Sequence, residues 1–386
     1  MITYIIMLII SMMLSSLYMK AKSKNSKIIF AICSVIPFIV VAGLRYDVGT
    51  DYMYRYVPDY INILNGTIPD NLEPLFLGLI KLCQICTHDY WILFFISAIL
   101  TYSLIFYEIF KRSKNPILSI LIFFISGMFF MSLNLMRQYI AIAILFISYR
   151  YMFEKKTIPI FIVGVLIASM FHSISLIFLI AILFDKKKIN SIFFAISTVI
   201  IAFEGKYLLT FVIICLKNSP ISNLRKYAGY LKMNGDFSWM LFLSELLILM
   251  YFLYIIYKRK TKLKKEEIFY VNCQYFIVAI AVLGRFNELF VRLVFIFSII
   301  QIISIPYFYC ESKKYFKELK IKDKIMKYST LCLIALLCML SFRMTYSNII
   351  KGTGKILPYK TIFERNSIRK EQSYNEKINI YKCSRI

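Results

Sequence analysis

IIFAICSVIPFIVVAGL (Ile28–Leu44) runs without a break into RYDVGTDYMYRYVPDY (Arg45–Tyr60). The first piece approaches the ~20 apolar residues that cross a bilayer. At its end, Val41–Tyr60 gathers two arginines, three aspartates, five tyrosines and two glycines. Polar groups packed at the end of a membrane span read as a functional site. They also read as an ordinary interfacial loop, because Asp and Gly favour turns and aromatics collect at membrane interfaces. Spacing alone does not choose between the two.

The apolar half of this pattern recurs along the chain. Of 386 residues 60% are hydrophobic, and the mean hydropathy is +0.69. A soluble protein of this length could not hide so much apolar surface. The expected fold is therefore all-α, a polytopic integral membrane protein with about 11 to 12 transmembrane helices, some of them short or broken. The net charge of +26, from 47 basic against 21 acidic residues, would suggest nucleic acid in a soluble chain. Here it lies in short runs between spans and reads as a topology signal. The nine cysteines are scattered without metal-ligand spacing, and Cys83-x-x-Cys86 has no thioredoxin-like context. With two histidines and no Gly-rich phosphate loop, no metal, cofactor or nucleotide-hydrolysing engine is expected.

Positive charge sets the expected path, since basic loops stay inside. Ile2–Met19 is followed, not preceded, by Lys20, Lys22, Lys24 and Lys27, the reverse of a signal peptide, so it reads as a retained span with its N-terminus outside. Ile28–Leu44 leads out to an external segment, 45–90, rich in acidic residues, within which Leu75–Cys86 is too short to cross and is expected on the outer leaflet. Trp91–Phe110 returns to Lys111, Arg112 and Lys114. Ile117–Met131 goes out, Ser132–Gln138 turns, and the next span ends at Arg150, Lys155 and Lys156. The run 158–184 has His172 in its middle. As one crossing it would strand Asp185-Lys186-Lys187-Lys188 outside. As two short helices bent near His172–Ser173 it keeps these lysines, and every later basic run, inside. Ile189–Phe203 then leads to an external loop, 204–238, that holds a further apolar piece, Tyr207–Leu216. Trp239–Tyr257 returns, Ile268–Leu283 goes out, Arg285–Arg292 turns and Leu293–Cys310 returns. Tyr328–Phe342 makes the last crossing. The result is one membrane domain, 1–343, with an extracytoplasmic tail, 344–386.

On this path Arg45, Asp51, Arg137, His172, Arg285 and Arg292 all fall at the outer end. Boundary arginines can simply snorkel, and a buried histidine is as often hydrogen-bonded as catalytic. Converging arginines also grip phosphate bidentately and stay charged when partly buried.

The segment GLRYDVGTDYMYRY (Gly43–Tyr56) resembles the R-Y-x-V-G-x-D-Y-x-x-Y signature of EpsG-type, Wzy-like bacterial polysaccharide polymerases. Glu73-Pro74, Arg137-Gln138-Tyr139-Ile140-Ala141, Ala168–Ser173, Arg292 in VRLVFIF and Pro358-Tyr359-Lys360-Thr361 are similar to the family's later motifs, in the same order. Loop 204–238 and the tail past Phe363 match nothing in that pattern. The resemblance implies a GT-C- or Wzy-like membrane glycosyltransferase of the bacterial cytoplasmic membrane, free of cofactors. Its substrate would be oligosaccharide carried on undecaprenyl diphosphate, and its partners the pathway's flippase and chain-length regulator. Such a reaction needs positive charge at the departing diphosphate, expected from Arg45, Arg137 and Arg292, with Arg285 further off. It needs a proton acceptor for the attacking hydroxyl, Asp51 first and His172 second. Gly49 would let backbone approach substrate or make the turn, and Tyr46 and Tyr52 would stack on sugar rings. A polymer ligase, an acyltransferase and a lipid-linked oligosaccharide flippase are the competing readings. A flippase would more often carry an internal repeat and mid-membrane polar groups.

Overall fold

The first helix, α1 (Ile2–Lys20), buries Tyr4, Met7, Ser11 and Ser15 and exposes Ile2, Ile5, Ile6, Ile9 and Met13. Small and polar residues face the bundle while apolar ones face outward. That inversion suits hydrocarbon as the surrounding medium. Its partner α2 (Lys24–Gly43) starts at a Ser23 cap whose hydroxyl accepts from Ser26 N. Ser11 Oγ donates to Ser34 O at 2.7 Å and ties the two together.

In this computed structural model, residues 1–69, 72–220, 225, 239–318 and 355–365 are described. They are helical, with one isolated bridge between Arg45 and Thr361 and no named strand among them. After α2 come α3 (Val57–Leu64), α4 (Pro74–Cys86), α5 (Trp91–Arg112), α6 (Pro116–Ile125), α7 (Met128–Asn134), α8 (Met136–Ser148) and α9 (Ile158–Ser169). Then follow α10 (Ser191–Lys217), α11 (Trp239–Arg259), α12 (Lys265–Leu283), α13 (Glu288–Ser298) and α14 (Gln301–Glu318). Five of these helices are long and apolar enough to span a membrane, or up to eight spans if each bent pair counts as one, among the described residues. The short apolar helices α4, α9 and Ser173–Leu183 accompany them. The chain is an all-α, multi-pass membrane protein. The expected crossing Tyr328–Phe342 lies outside the described residues.

Two of the bent pairs have clear geometry. Gly127, at φ 81°, separates α6 from α7, which meet at 56°. A left-handed residue ends a helix cleanly when it is glycine. The pair α13 and α14 bends by 49°. The run 158–184 is also two pieces: α9 stops at Ser169, and a 3-10 helix, Ser173–Leu183, packs back on it through Phe161 and Phe178, rings 6.0 Å apart. Beyond it, α10 runs past the expected boundary at Phe203 to Lys217, and it bends by 53° between Ser191–Tyr207 and Leu209–Lys217, so the apolar piece Tyr207–Leu216 is the bent second half of that helix.

The helix ends sort by charge. At one end Tyr18 reaches Phe110 O (3.1 Å), Arg112 meets Glu266 (3.7 Å), and Arg259 pairs with Glu267 (2.6 Å) and Glu311 (3.3 Å). These are the basic loops of the sequence, brought together. At the opposite end the strap 355–365 lies along the loop after α2. Tyr46 N donates to Lys360 O (2.9 Å), Ile362 N to Leu44 O (3.0 Å), and Tyr359 Oη to Val41 O (3.0 Å). Arg365 grips Asp89 with both carboxylate oxygens within 2.8 Å. The closing motif and the first motif therefore share one end of the bundle.

Helix α9 approaches α8 closely at Gly164, where an added Cβ would stand 2.0 Å from Ser148 Oγ and 2.7 Å from its Cβ. Gly78 in α4 has nothing within 4 Å of that position. Gly164→Ala is expected to cost about 1–3 kcal/mol by overpacking, while Gly78→Ala leaves stability unchanged or slightly raised. Melting of the two purified variants in detergent measures the contrast, and equal midpoints would contradict this packing.

Candidate functional site

Arg45 leaves the end of α2 and turns back into the protein. Its Nε donates to Val48 O (3.2 Å), one terminal nitrogen to Ala42 O and the other to Leu133 O (3.0 Å). The guanidinium lies 4.9 Å from the Phe94 ring centre and 5.8 Å from that of Tyr52, and the two rings stack at 3.8 Å. A buried cation here is satisfied by carbonyl dipoles and aromatic faces instead of a carboxylate. Arg45 is 2% exposed, so it faces no open site.

The turn it closes depends on Gly49, which sits at φ 95° with Leu133 O only 2.8 Å from where a Cβ would be. Both the dihedral and the close approach demand glycine. Asn134, the last residue of α7, then anchors the residues after the turn. Its Oδ1 accepts from Thr50 Oγ1 (2.7 Å) and Asp51 N (2.9 Å), and its carbonyl from Tyr56 Oη (3.0 Å). Tyr52–Tyr56 continue as one π-helical turn into α3, a form that often marks functional positions.

A second knot lies beside the first. Arg137, in the first turn of α8, pairs with Glu73 at 2.6 Å, both buried. The other Glu73 oxygen faces Ser173 N (3.4 Å) and lies 3.4 Å from His172 Nδ1, a contact without hydrogen-bond geometry. Leu75 N donates to Met170 O at 3.0 Å. Glu73 thus binds the start of α4, the start of α8 and the bend between α9 and Ser173–Leu183. Burial works to raise the Glu73 carboxyl, but the neighbouring His172 and the Arg137 charge outweigh it and hold the group at about 2.

Between the two knots stand groups with no partner. Among the described residues the Asp51 carboxylate and the side chains of Arg55 and Arg292 carry no hydrogen bond or ion pair. Arg292 contributes its backbone carbonyl to Gln138 Nε2 (2.9 Å). Burial pushes the half-buried Asp51 carboxyl above the ordinary aspartate value, against the opposing charges of Arg55, Arg292 and Arg137. Burial likewise raises Asp59, against Arg137 and Arg55. A carboxylate of raised affinity for protons, facing unpaired guanidinium groups, is suited to accept a proton beside an anionic leaving group.

The expected residues are thus partly regrouped. Asp51, Arg137, His172 and Arg292 come together. Arg45 is engaged by backbone. Tyr46 (3% exposed) and Tyr52 (0%) are core rings and offer no face to a sugar, and Gly49 meets Leu133 instead of an open cleft. Arg285 is exposed against Phe286 and lines a different cavity with Trp239 and Phe242. Arg55, Glu73 and Asn134 enter as residues to which spacing gave no role. Arg55 and Glu73 sat inside the family-like motifs, while Asn134 carried no signal.

The fold is that of an all-α, multi-pass membrane protein with a cluster of charged groups at one end. The EpsG family model matches residues 28–361, and the chain belongs to the EpsG family, a Wzy-like polysaccharide polymerase family. No curated protein and no solved structure matches it.

Because the folded value of Glu73 (about 2) lies below its ordinary 4.5, its share of stability is present above that ordinary value and lost as pH falls from about 4.5 towards 2. Glu73→Gln removes that acid-side slope. It also leaves Arg137 buried without a counter-ion, at a cost of about 3 kcal/mol or more at neutral pH. Melting against pH for both proteins checks this, and parallel curves would show that Glu73 carries no such linkage.

Proposed function

We propose that this protein joins oligosaccharide repeat units, carried on undecaprenyl diphosphate, into surface polysaccharide at the outer face of the bacterial cytoplasmic membrane. A hydroxyl of the incoming unit attacks the anomeric carbon of the growing chain. The bond from that carbon to the lipid diphosphate breaks, and the diphosphate leaves with the electron pair. Asp51 takes the hydroxyl proton. Arg292 and Arg55 meet the charge that develops on the diphosphate. Arg137 and Glu73 hold the bend that carries His172, the second candidate acceptor. The observation that carries this reading is the Asp51 carboxylate, without a partner among the described residues and half-buried among the charges of Arg55, Arg292 and Arg137. Membership of the EpsG family agrees with it. The outward orientation is supported by the gathering of basic loops at the other end of the bundle, and in this reading the N-terminus lies outside as well.

Asp51→Asn and Arg292→Ala are expected to slow polymerisation about 10²- to 10⁴-fold with normal protein levels in the membrane. A gel of surface polysaccharide then shows single-repeat product, and wild-type chain lengths in both variants would sink the assignment. In a deletion strain, long unattached polymer would indicate a ligase instead, and build-up of lipid-linked repeats on the inner leaflet a flippase.

Tyr54 is 76% exposed at the motif end. In a cysteine-free background, Tyr54→Cys is expected to react with a membrane-impermeant maleimide in whole cells. Labelling only after lysis would reverse the orientation.

A further inference from the structure

Outside the charged cluster around Asp51, α11 carries a carboxylate into the bundle. Glu245 is 6% exposed, and Gln274 of α12 and Gln301 of α14 close around it. Gln274 Nε2 donates to Glu245 Oε2 and to its backbone oxygen, both at 2.9 Å. Gln301 Nε2 donates to Glu245 Oε2 and to Gln274 Oε1, the latter at 3.0 Å. Neither hydrogen bonds nor ion pairs join a basic side chain to Glu245 among the described residues. A carboxylate inside a membrane bundle without a cationic partner is costly, and such residues are retained where they bind something.

A cavity of about 50 Å³ adjoins this group, lined on its polar side by Ser126, Ser244, Glu245, Ser298 and Gln301. The hydroxyls of Ser126 and Ser298 are buried without a hydrogen-bond partner, and Ser298 is 3% exposed. Ser244 donates to Leu241 O (2.8 Å), which leaves its oxygen lone pairs available. Ser126 and Ser298 sit at the two helix breaks, α6 to α7 and α13 to α14. Two interrupted helices thus meet one buried carboxylate at one small polar cavity. In membrane proteins, broken helices and a carboxylate at such a point supply the oxygen ligands of a monovalent cation. The volume has room for one small ion together with a few waters, and its polar wall offers hard oxygen ligands beside the apolar Met128, Leu241 and Val294.

We propose that the cavity beside Glu245 is a binding site for one small monovalent cation of sodium size. The ion would neutralise Glu245 through Oε1 and satisfy the hydroxyls of Ser126 and Ser298, joining α11 to the α6–α7 and α13–α14 breaks. This site is separate from Asp51 and does not depend on the proposed reaction.

The test is thermal melting of the purified full chain in detergent, at fixed pH and ionic strength, with sodium chloride exchanged for choline chloride. Wild type is expected to melt several degrees higher in sodium, with saturating dependence. Glu245→Gln, which keeps shape and removes charge, is expected to lose the sodium response. Ser298→Ala is expected to need several-fold more sodium for the same shift, a readout that stands if the Glu245 variant does not fold. Identical wild-type melting in sodium and choline overturns the site, as does a Glu245→Gln protein that responds like wild type. Stabilisation by acid with no effect of sodium overturns it in favour of a proton.

Discussion

The site end of this protein depends on one buried cation. Arg45 has no carboxylate to pair with, so its donors must find oxygen elsewhere, and they find the carbonyls of Ala42, Val48 and Leu133. Each lies on a different piece of chain: the end of α2, the motif loop and the end of α7. One guanidinium therefore fixes the position of a loop against a helix end that is 88 residues away in sequence. Gly49 is forced into its left-handed turn by the same approach, because Leu133 O occupies the space a side chain would need. Asn134, next in the chain, then orients Thr50 and Asp51. The Asp51 carboxylate is placed at the end of this sequence of constraints.

Four arginines meet near the site and divide by what holds them. Arg45 is neutralised by backbone and Arg137 by Glu73. Both are buried, and removing either leaves a cavity lined with unpaired polar groups. Among the described residues Arg55 and Arg292 have no such partner and act on Asp51 only through their charge. In a low-dielectric surrounding, an unpaired guanidinium attracts an anion strongly. Held groups fix the loops around Asp51, and unheld ones are available to a ligand.

Much of this was legible in the chain itself. The all-α membrane architecture comes from apolar runs that no soluble protein could bury. The gathering of Lys20–Lys27, Arg112, Arg150 and Arg259 away from Arg45 was readable from loop charges alone. The interruption at His172 was implied by the lysines at 186–188. The roles of the arginines were not legible, because the same side chain serves carbonyls at position 45, a carboxylate at 137 and neither at 292. Those differences arise from contacts between residues far apart in sequence. Tyr46 and Tyr52 misled for a similar reason: tyrosine beside an aspartate reads as a sugar platform, yet stacking on Phe94 makes Tyr52 part of the core. Helix α10 outran its expected end because Glu204 and Lys206 looked like a loop, and two charges do not stop a helix.

Asp51, held by the Arg45 clamp and raised by burial, is assigned to accept the proton of the attacking hydroxyl, and this is the central claim. The direct measurement is the pH dependence of polymerisation by the purified protein on a lipid diphosphate-linked oligosaccharide, for wild type and Asp51→Asn. A base must be ionised to act, so activity rises with pH through the Asp51 value, and burial places that midpoint above the ordinary 3.8. The account predicts this acid limb in wild type and its loss in the slow Asp51→Asn protein. An unchanged limb in the variant would contradict it.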